Sequence, residues 1–499
     1  MVLKKLVLLC LPLLLVGCGD GSDGSDGRPG ADGTNAADQI ARVSGSLAPG
    51  ETLTLSHALT AYDSEVTFSY LGTKYDAEEF SDVYQAVDIE SAVMALEAYD
   101  PEPPYDYWDW TDITFLETAS GFDMFALKII WNDDDNDNAL PFVKASLDEQ
   151  GVRTGDLIEL IPDTDYSYDN FEVVALPGGN DLVVHSISDS VEFVVFNAAG
   201  AAGETRSLPS HSLDSGSGSG HSTLTQKNEV VTCLSDDSAG DSNEVLQLYI
   251  MPIGTADALG TPTTVTLYDN ATVTQTQSQD DIQASDCIVK ALPGGGIAVL
   301  HESGTMTQRV SMATFFDEDF AITSTKVVSH SYIGYADIAC NEDDDCVFMF
   351  EIAGPDSNVY YKSNPAGTDT FGPHPYTDHE YDERSQVTSF ADGTFMMVSG
   401  EDDSLMSAIW NIDENGVAAE IQLFSPISAP GYSDRELITT GPYTAKWAYG
   451  GYNTDAHYTI DVHKNELKVT EADGSFTVTN QSGHTVDTSI MLVGVAPAT

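Results

Sequence analysis

Basic residues are scarce in this chain of 499 residues, which has 19 Lys and Arg against 80 Asp and Glu and a formal net charge of −61. A surface of this charge repels the phosphates of nucleic acids and anionic lipid headgroups, so a nucleic-acid partner is excluded. It suits a salty medium, because dissolved ions screen the repulsion between carboxylates beyond about 10 Å. The sequence also lacks the GxSxG, HExxH and P-loop patterns of common enzymes.

Long apolar runs are missing except at the N-terminus. There, Lys4 and Lys5 precede a run that ends at Val16 and is too short for a lasting transmembrane helix. This layout is typical of a secretory signal, so we expect residues 1–17 to be a signal peptide. Residues Leu15–Cys18 resemble the lipobox of bacterial lipoproteins. The resemblance implies that Cys18 becomes the lipidated first residue and that acyl chains hold the protein on a membrane.

The lipoprotein resemblance also bears on location. In the sorting rule of such proteins, Asp directly after the cysteine favours the inner membrane, and here that place holds Gly19. We therefore expect a cell-envelope protein anchored in the outer membrane, on its periplasmic or its surface side. Residues 18–37 follow as a Gly- and Asp-rich tether with five collagen-like Gly-X-Y triplets. Since Pro29 is the only proline among them, a flexible, charge-extended spacer is favoured over a short triple helix.

Cysteine is rare, with six residues in all, of which two belong to the N-terminal segment. An even count of four in an exported protein permits disulfides. Cys340 and Cys346 bracket a short acidic stretch and are expected to close a tight hairpin. Cys233 and Cys287 then pair with each other or stay free. A zinc site is the competing interpretation, but the cysteines lack CxxC spacing and flanking His residues.

Internal repeats are the most informative pattern in the chain. Val174–His185 (VALPGGNDLVVH) and Lys290–His301 (KALPGGGIAVLH) match at an offset of 116 residues, and half of that offset falls in the Val- and Leu-rich segment around Cys233. This spacing predicts a unit of 58 residues, with further copies that begin near Ile113, Ile338, Val387 and Glu436. Each copy alternates strand patterns with Pro, Gly or Asp turns, and the matched His185 and His301 are expected to be structural.

Repeated units of four short strands are typical of a β-propeller. We therefore predict an all-β fold over residues 111–499 with seven blades of four antiparallel strands each. The alternative is a chain of separate β-sandwich domains. Residues 38–110 are expected to form N-terminal strands or a small cap, with helical periodicity over residues 77–99. Alternatively, strands from this stretch pair with the C-terminal residues and so close the ring.

Two segments are candidates for ligand sites. Asp133, Asp135 and Asp137 alternate on an acidic loop and could wrap a Ca²⁺ ion, although the glycine and distal Glu of an EF-hand are absent; a solvated acidic hairpin is the alternative. A second segment joins aromatic rings to acidic neighbours, as sites that stack on sugar rings do, unless the rings fill the core beneath a cap. Its aromatic residues are Tyr105, Tyr107, Trp108 and Trp110.

Two weaker patterns complete the candidates. His374, Asp378, His379 and Glu380 could bind a transition metal, but chance clustering in an acidic loop is the favoured explanation. The segment 359–371 resembles the Asp-box hairpin of sialidases, with Pro365 in the place of the aspartate. The arginine cluster of that family is missing too.

Taken together, these features favour a binding or scaffold module for a protein, glycan or cation ligand over a catalyst. The alternative is a glycan-active hydrolase or lyase on the same scaffold, whose acid and base would be Asp or Glu residues from loops on one face. A structural surface-layer component is a third possibility. Apart from calcium, no cofactor is indicated.

Overall fold

The computed structural model describes most of the chain from Gln39 onward, and the fold is all-β in that part. No α-helix occurs among the described residues, which contain one short 3-10 turn at Thr255–Asp257. None of their helical segments is long and apolar enough to cross a membrane. The described residues are 39–56, 66–70, 73–76, 84–95, 107–118, 121–131, 141–148, 153–162, 171–187, 190–213, 220–236, 245–269, 287–305, 308–330, 333–352, 357–367, 370–373, 383–391, 393–401, 404–412, 418–423, 427–428, 435–441, 444–450, 456–472, 475–481 and 485–494.

The strands group into eight antiparallel sheets, which are named A to H here. The N-terminal strands are β1 Gln39–Leu47, β2 Thr52–Ser56, β3 Val66–Tyr70, β4 Thr73–Asp76 and β5 Tyr84–Ala95. Sheet A contains β6 Tyr107–Thr118, β7 Gly121–Trp131, β8 Phe142–Leu147 and β9 Ile158–Ile161. Sheet B contains β10 Phe171–Ala175, β11 Asp181–Ile187, β12 Ser190–Phe196 and β13 Ala202–Pro209.

The middle of the chain continues the pattern. Sheet C contains β14 His211–Ser212, β15 Ser222–Leu224, β16 Glu229–Asp236, β17 Val245–Pro252 and β18 Thr263–Asp269. Sheet D contains β19 Cys287–Ala291, β20 Ile297–Thr305, β21 Gln308–Phe316 and β22 Ile322–Ser329. Sheet E contains β23 Ile333–Cys340, β24 Cys346–Ile352, β25 Ser357–Ser363 and β26 Thr370–Pro373.

The last sheets combine both ends of the chain. Sheet F contains β27 Glu383–Ser389, β28 Phe395–Glu401, β29 Ser404–Ile412, β30 Ala418–Leu423 and β31 Ile427–Ser428. Sheet G contains β32 Arg435–Gly441, β33 Thr444–Gly450, β34 Ala456–Ala472 and β35 Ser475–Asn480, together with β2 and β5. Sheet H contains β36 Val486–Gly494 together with β1, β3 and β4.

The first strands of successive sheets pack against one another around a ring. β6 contacts β10, the contacts continue in chain order through β15, β19, β23 and β27 to β32, and β32 contacts β6. Antiparallel sheets arranged radially around such a ring form a β-propeller. The all-β propeller prediction is confirmed, and the alternative of separate sandwich domains is wrong.

The prediction of seven blades with four strands each is wrong. Among the described residues, five sheets have four strands, two have five and one has six. The extra strands have local causes. The first strand of sheet C is split into β14 and β15 on either side of residues 213–221, sheet F gains the short β31, and sheet G recruits two N-terminal strands.

The two chain ends pair, as one of the alternatives predicted. β1 pairs with β36 from Gln39↔Gly494 to Leu47↔Val486, and β2 pairs with β35. The helical prediction for residues 77–99 is wrong, because Tyr84–Ala95 is a strand paired with β34 over its whole length. A long partner strand supplies backbone hydrogen bonds along the segment, and this pairing overrides the local apolar spacing that favoured a helix.

The repeats match five-residue turns between the first and second strands of sheets B to F. In each turn the first N–H donates to the fifth carbonyl, and the fourth residue has a left-handed backbone. The predicted period of 58 is wrong, because successive turns begin 49, 67, 49 and 49 residues apart. The turns are Leu176–Asn180, Thr225–Glu229, Leu292–Gly296, Asn341–Asp345 and Phe390–Thr394.

The core lies between the sheets, so most sheets bury both faces. On β12, Val194 and Phe196 join the apolar cluster shared with sheet A. Phe193 and Val195 alternate with them and join the cluster shared with sheet C. This double burial explains why the strands are continuous apolar runs instead of alternating patterns.

Candidate functional site

One face of the ring carries the turns that join first to second strands and third to fourth strands; we call it the turn face. Side chains from one sheet reach the turns of a neighbouring sheet there, so these turns are connected to one another. The opposite edge is where second strands end and third strands begin, and we call it the strand-end edge.

Carboxylates explain the repeated Ala-Leu-Pro-Gly-Gly sequence. In sheet B the N–H of Gly178 donates to Oδ1 of Asp257, which belongs to sheet C, at 2.7 Å. In sheet D the N–H of Gly294 donates to Oδ1 of Asp344, from sheet E, at 2.6 Å. A Cβ on either glycine would overlap the carboxylate, so only glycine allows this approach.

The turn of sheet C is tied to sheet D by two longer side chains. Gln226 Nε2 donates to the carbonyl of Pro293. Lys227 Nζ donates to the carbonyl of Glu318 at 2.7 Å and to Asp319 Oδ1 at 2.9 Å. These hydrogen bonds raise the pKa of Lys227, Asp319 first among its partners, so its ammonium stays charged.

A pocket of about 220 Å³ opens where these two sheets meet. Its walls come from the turn of sheet C, the glycine-rich turn of sheet D, and the turn between the third and fourth strands of sheet D. The lining residues are Thr225, Gln226, Lys227, Glu229, Gly295, Gly296, Glu318 and Phe320.

Two carboxylates, one buried and one half-buried, hold equivalent positions on the first strands, four residues before the turn. Burial raises the pKa of Glu172, although the charge of His221 and backbone N–H groups, including that of Gly220 at 2.8 Å, oppose the shift. Burial raises the pKa of Asp337 to about 6, and its Oδ2 accepts a hydrogen bond from the N–H of Val387 at 2.9 Å. Each carboxylate thus joins its sheet to the next.

A buried lysine links sheets A and B. Lys144 Nζ lies 2.7 Å from Asp123 Oδ2 and 2.6 Å from Asp181 Oδ2, and it sits over the ring of Phe125 at 5.2 Å. Burial lowers the pKa of Lys144, but its hydrogen bonds to the two carboxylates outweigh this effect and the net pKa is raised. Lys144 therefore remains an ammonium and stabilises the contact between sheets A and B.

The matched His185 and His301 lie in the interior. Both side chains are buried, and burial lowers the pKa of each to about 4. His185 stacks on Phe171 with ring centroids 5.5 Å apart. His301 Nε2 lies 3.2 Å from the Thr314 hydroxyl. Both rings are therefore neutral parts of the packing at neutral pH.

Both predicted disulfides are present. Cys233–Cys287 joins β16 of sheet C to β19 of sheet D, and Cys340–Cys346 closes the first turn of sheet E. The first bridge therefore fixes a seam between two sheets, whereas the second acts within a single hairpin.

Most predicted ligand residues lie outside the described residues. This applies to the lipidation residue Cys18, to Asp133, Asp135 and Asp137, to Tyr105, and to the His374–Glu380 segment. The described residues contain no group of three or more potential metal ligands, and the calcium site stays a prediction. Tyr107, Trp108 and Trp110 fall on β6, opposite Trp131, Ile130 and Lys128 of β7.

The strands beside these candidate segments share one edge of the ring. β6 begins at Tyr107 and its partner β7 ends at Trp131, next to residues 132–140. β26 ends at Pro373 and β27 begins at Glu383, on either side of residues 374–382. Because the sheets are antiparallel, these four termini all lie at the strand-end edge. The start of β6 and residues 132–140 are far from residues 374–382 in the sequence. Only the sheet topology brings the strands beside them to one edge.

Sequence reasoning missed the contacts that cross between sheets. The hydrogen bond from Gly178 to Asp257, the ion pair of Lys144 with Asp181 and the pocket beside Phe320 all involve residues from different repeats. The repeated Pro-Gly-Gly was a usable signal, since two glycines after a proline exceed what the turn alone requires.

Neither a family model nor a curated relative matches this chain. Among solved structures, it is similar to the polysaccharide lyase Uly1, with 6% identity and a TM-score of 0.46 over 81% of this chain and 99% of the other. It is also similar to an arabinanase of Penicillium chrysogenum complexed with arabinobiose, with 11% identity and a TM-score of 0.36 over 72% of this chain and 95% of the other. Hsv2 of Kluyveromyces lactis has 10% identity and a TM-score of 0.36 over 66% of this chain and 99% of the other. Similarity at this level assigns no function to the chain.

Proposed function

We propose that this protein is a lipid-anchored binding or scaffold module of the cell envelope that presents a ligand site at the strand-end edge of its propeller. The observation that carries the proposal is the shared edge: β6, with Tyr107, Trp108 and Trp110, begins there, and the strands beside residues 132–140 and 374–382 end there. Aromatic and acidic residues from distant parts of the sequence thus attach to one side of a closed ring.

Contacts between neighbouring sheets brace the turn face. On the turn face, the backbone N–H groups of Gly178 and Gly294 are already engaged by carboxylates of neighbouring sheets. These hydrogen bonds between sheets stiffen the scaffold, and a rigid scaffold that carries variable connections is a common basis for binding sites. We therefore assign the ligand to the connections at the strand-end edge.

The preferred ligand is a glycan or a protein surface with exposed polar groups. Aromatic side chains offer flat apolar faces to sugar rings, and carboxylates accept hydrogen bonds from hydroxyl groups. Ca²⁺ bound by Asp133, Asp135 and Asp137 is proposed as an additional ligand at the same edge. Calorimetry with CaCl₂ tests this part, because the triple Asp→Asn variant is expected to lose the binding that the parent shows.

Anchoring rests on Cys18 and is testable by itself. We expect an alkyne-tagged palmitate to label the parent protein and to leave Cys18→Ser unlabelled. Labelled protein is expected in the outer-membrane fraction. Equal labelling of both proteins would remove the anchor from the account and leave the binding proposal intact.

A polysaccharide panel separates binding from catalysis. We expect retention of the protein on at least one polysaccharide without release of reducing ends or unsaturated products. Trp108→Ala/Trp110→Ala is expected to lose retention, whereas Ile322→Ala is the control, since Ile322 is 63% exposed on the outer strand of sheet D. Release of products would instead establish the alternative, a glycan-active hydrolase or lyase.

A further inference from the structure

The pocket between sheets C and D is separate from the strand-end edge, because its walls are turns of the turn face. Its volume of about 220 Å³ is below the roughly 300–1,000 Å³ of sites that hold drug-sized ligands. It therefore fits one small group, such as the end of a side chain.

The walls of the pocket are fixed before any ligand arrives. The Cys233–Cys287 disulfide joins the two sheets that form it. At its rim, Gln226 donates to the carbonyl of Pro293, and Lys227 donates to that of Glu318. A preformed pocket needs little reorganisation on binding, which favours even small ligands.

Phe320 gives the pocket an aromatic wall at a position where the turn needs none. Its φ of 58° lies in the left-handed region, which bulky residues rarely adopt. The corresponding turn of sheet B has Gly200 there, with φ 77°. One side of the half-buried Phe320 packs on the apolar cluster between the two sheets, and the residue also lines the pocket.

The charges around the pocket favour a cation. Within the described residues, no side-chain hydrogen bond or ion pair engages the carboxylate of Glu229. Glu318 lies 3.5 Å from Lys227 Nζ and shares that ammonium with Asp319. Glu229 and Glu318 line the pocket with Lys227 as the one basic residue among the lining residues, in a chain with a net charge of −61. A field of this sign attracts positive groups and repels anions.

We propose that this pocket binds the primary ammonium or guanidinium end of a lysine-like or arginine-like group. The ring of Phe320 offers a cation–π surface, and the carboxylate of Glu229 accepts charge-assisted hydrogen bonds. Such a group comes either from a basic side chain of a partner protein or from a free diamine. The site goes beyond the proposed ligand edge and does not depend on Trp108 or on Cys18.

The test is calorimetric titration of the full chain, purified in detergent at about 100 mM salt, where screening suppresses diffuse attraction beyond about 10 Å. The probes are Nα-acetyl-lysinamide, Nα-acetyl-argininamide and putrescine, with acetate and glucose as negative controls. We expect saturable binding of the cations at one site. Binding of putrescine alone would identify a free diamine, whereas binding of the capped amino acids would identify a side chain; both results support the proposal.

Variants locate the site. Glu229→Gln is expected to weaken binding roughly tenfold or more, because a charge-assisted hydrogen bond is lost. Phe320→Gly removes the ring but suits the left-handed backbone, so binding should fall while the turn persists. Glu342→Gln, in the exposed first turn of sheet E, is the matched control and should leave binding unchanged.

Three results would overturn the proposal. Equal cation binding by the parent, Glu229→Gln and Glu342→Gln would show diffuse attraction to an acidic surface. Acetate binding that disappears in Lys227→Met would show an anion site instead. Absence of cation binding by the folded parent would leave the pocket without this role, and it would leave the polysaccharide result unaffected.

Discussion

Removal of the Cys233–Cys287 disulfide should destabilise the propeller more than removal of its second disulfide. The bridge joins residues separated by 54 positions, and the loop-closure entropy of a loop of this size amounts to about 4 kcal/mol at 25 °C. Both cysteines are 2% exposed and belong to the apolar cluster between sheets C and D. Cys233→Ala/Cys287→Ala therefore loosens a seam of the ring as well as enlarging the unfolded ensemble.

The Cys340–Cys346 bridge provides the matched comparison. Its sequence separation is 6, for which the same relation gives about 2 kcal/mol. The Asn341–Asp345 turn also keeps its backbone hydrogen bonds without the sulfurs, since Asn341 N donates to the Asp345 carbonyl at 2.9 Å. Cys340→Ala/Cys346→Ala should consequently cost about half as much stability as the seam variant.

The assay is equilibrium unfolding in guanidinium chloride, followed by tryptophan fluorescence and by circular dichroism. We expect the free energy of unfolding to fall by about 4 kcal/mol for the seam variant and about 2 kcal/mol for the hairpin variant. The reduced parent protein should show both losses combined. Equal losses, or a larger loss for the hairpin variant, would refute the reasoning that the first bridge holds two sheets together.

Three further predictions concern titratable groups between the sheets. The free energy of unfolding should fall as pH drops from about 6.5 to about 4, by up to about 3 kcal/mol for each of His185 and His301. The reason is that these rings bind a proton in the unfolded chain but stay neutral in the folded one. Replacement of both residues by Gln should make the measured free energy of unfolding less dependent on pH across this range. Asp337 should give the opposite pH dependence, because its raised pKa of about 6 means that stability is lost as pH rises from about 4 to about 6. In denaturant titrations at pH 8, Asp337→Asn should therefore be up to about 3 kcal/mol more stable than the parent. A less stable variant at that pH would contradict the assignment. Lys144→Met should cost about 3 kcal/mol or more by leaving buried carboxylates without their cation, and adding Asp181→Asn should recover part of the loss in thermal melts, whereas an additive loss would argue against the ion pair.

The strand content and the turns could be predicted because they depend on local chemistry. In Leu176–Asn180 and Leu292–Gly296, Pro and Gly residues supply the turn, and the flanking Val and Leu residues fill both faces of a strand. The disulfides were predicted from the even cysteine count together with the expectation that the chain is exported. These features need no knowledge of which sheets are neighbours.

The period and the N-terminal strand could not be predicted for physical reasons. The segment between Thr225 and Leu292 is longer than the other repeats, so a midpoint between two similar turns fell at the wrong residue. Tyr84–Ala95 has apolar residues at spacings that fit both a helix and a strand, and only its partner β34 decides between them. Pairing across several hundred residues leaves no local signal.

The candidate sites were the least predictable part. Local sequence identifies aromatic and acidic segments. The pocket beside Phe320 and the hydrogen bond from Gly178 to Asp257, however, arise where separate repeats meet. A contact between repeats depends on the radial order of the sheets, which composition does not encode. The same order brings β6 and the end of β26 to one edge.

The central claim is a closed ring whose sheets G and H combine both ends of the chain. Ala95 of β5 lies directly opposite Ala456 of β34, and opposed residues in antiparallel strands have Cα atoms about 4.5–5.5 Å apart, within reach of a disulfide. In the chain carrying Cys18→Ser, Ala95→Cys/Ala456→Cys should therefore cross-link under mild oxidation and migrate faster in non-reducing gels. Ala86→Cys/Ala456→Cys, displaced by roughly 30 Å along the strand, should not cross-link. Failure of the first pair to cross-link, or equal cross-linking of both pairs, would contradict the closed ring.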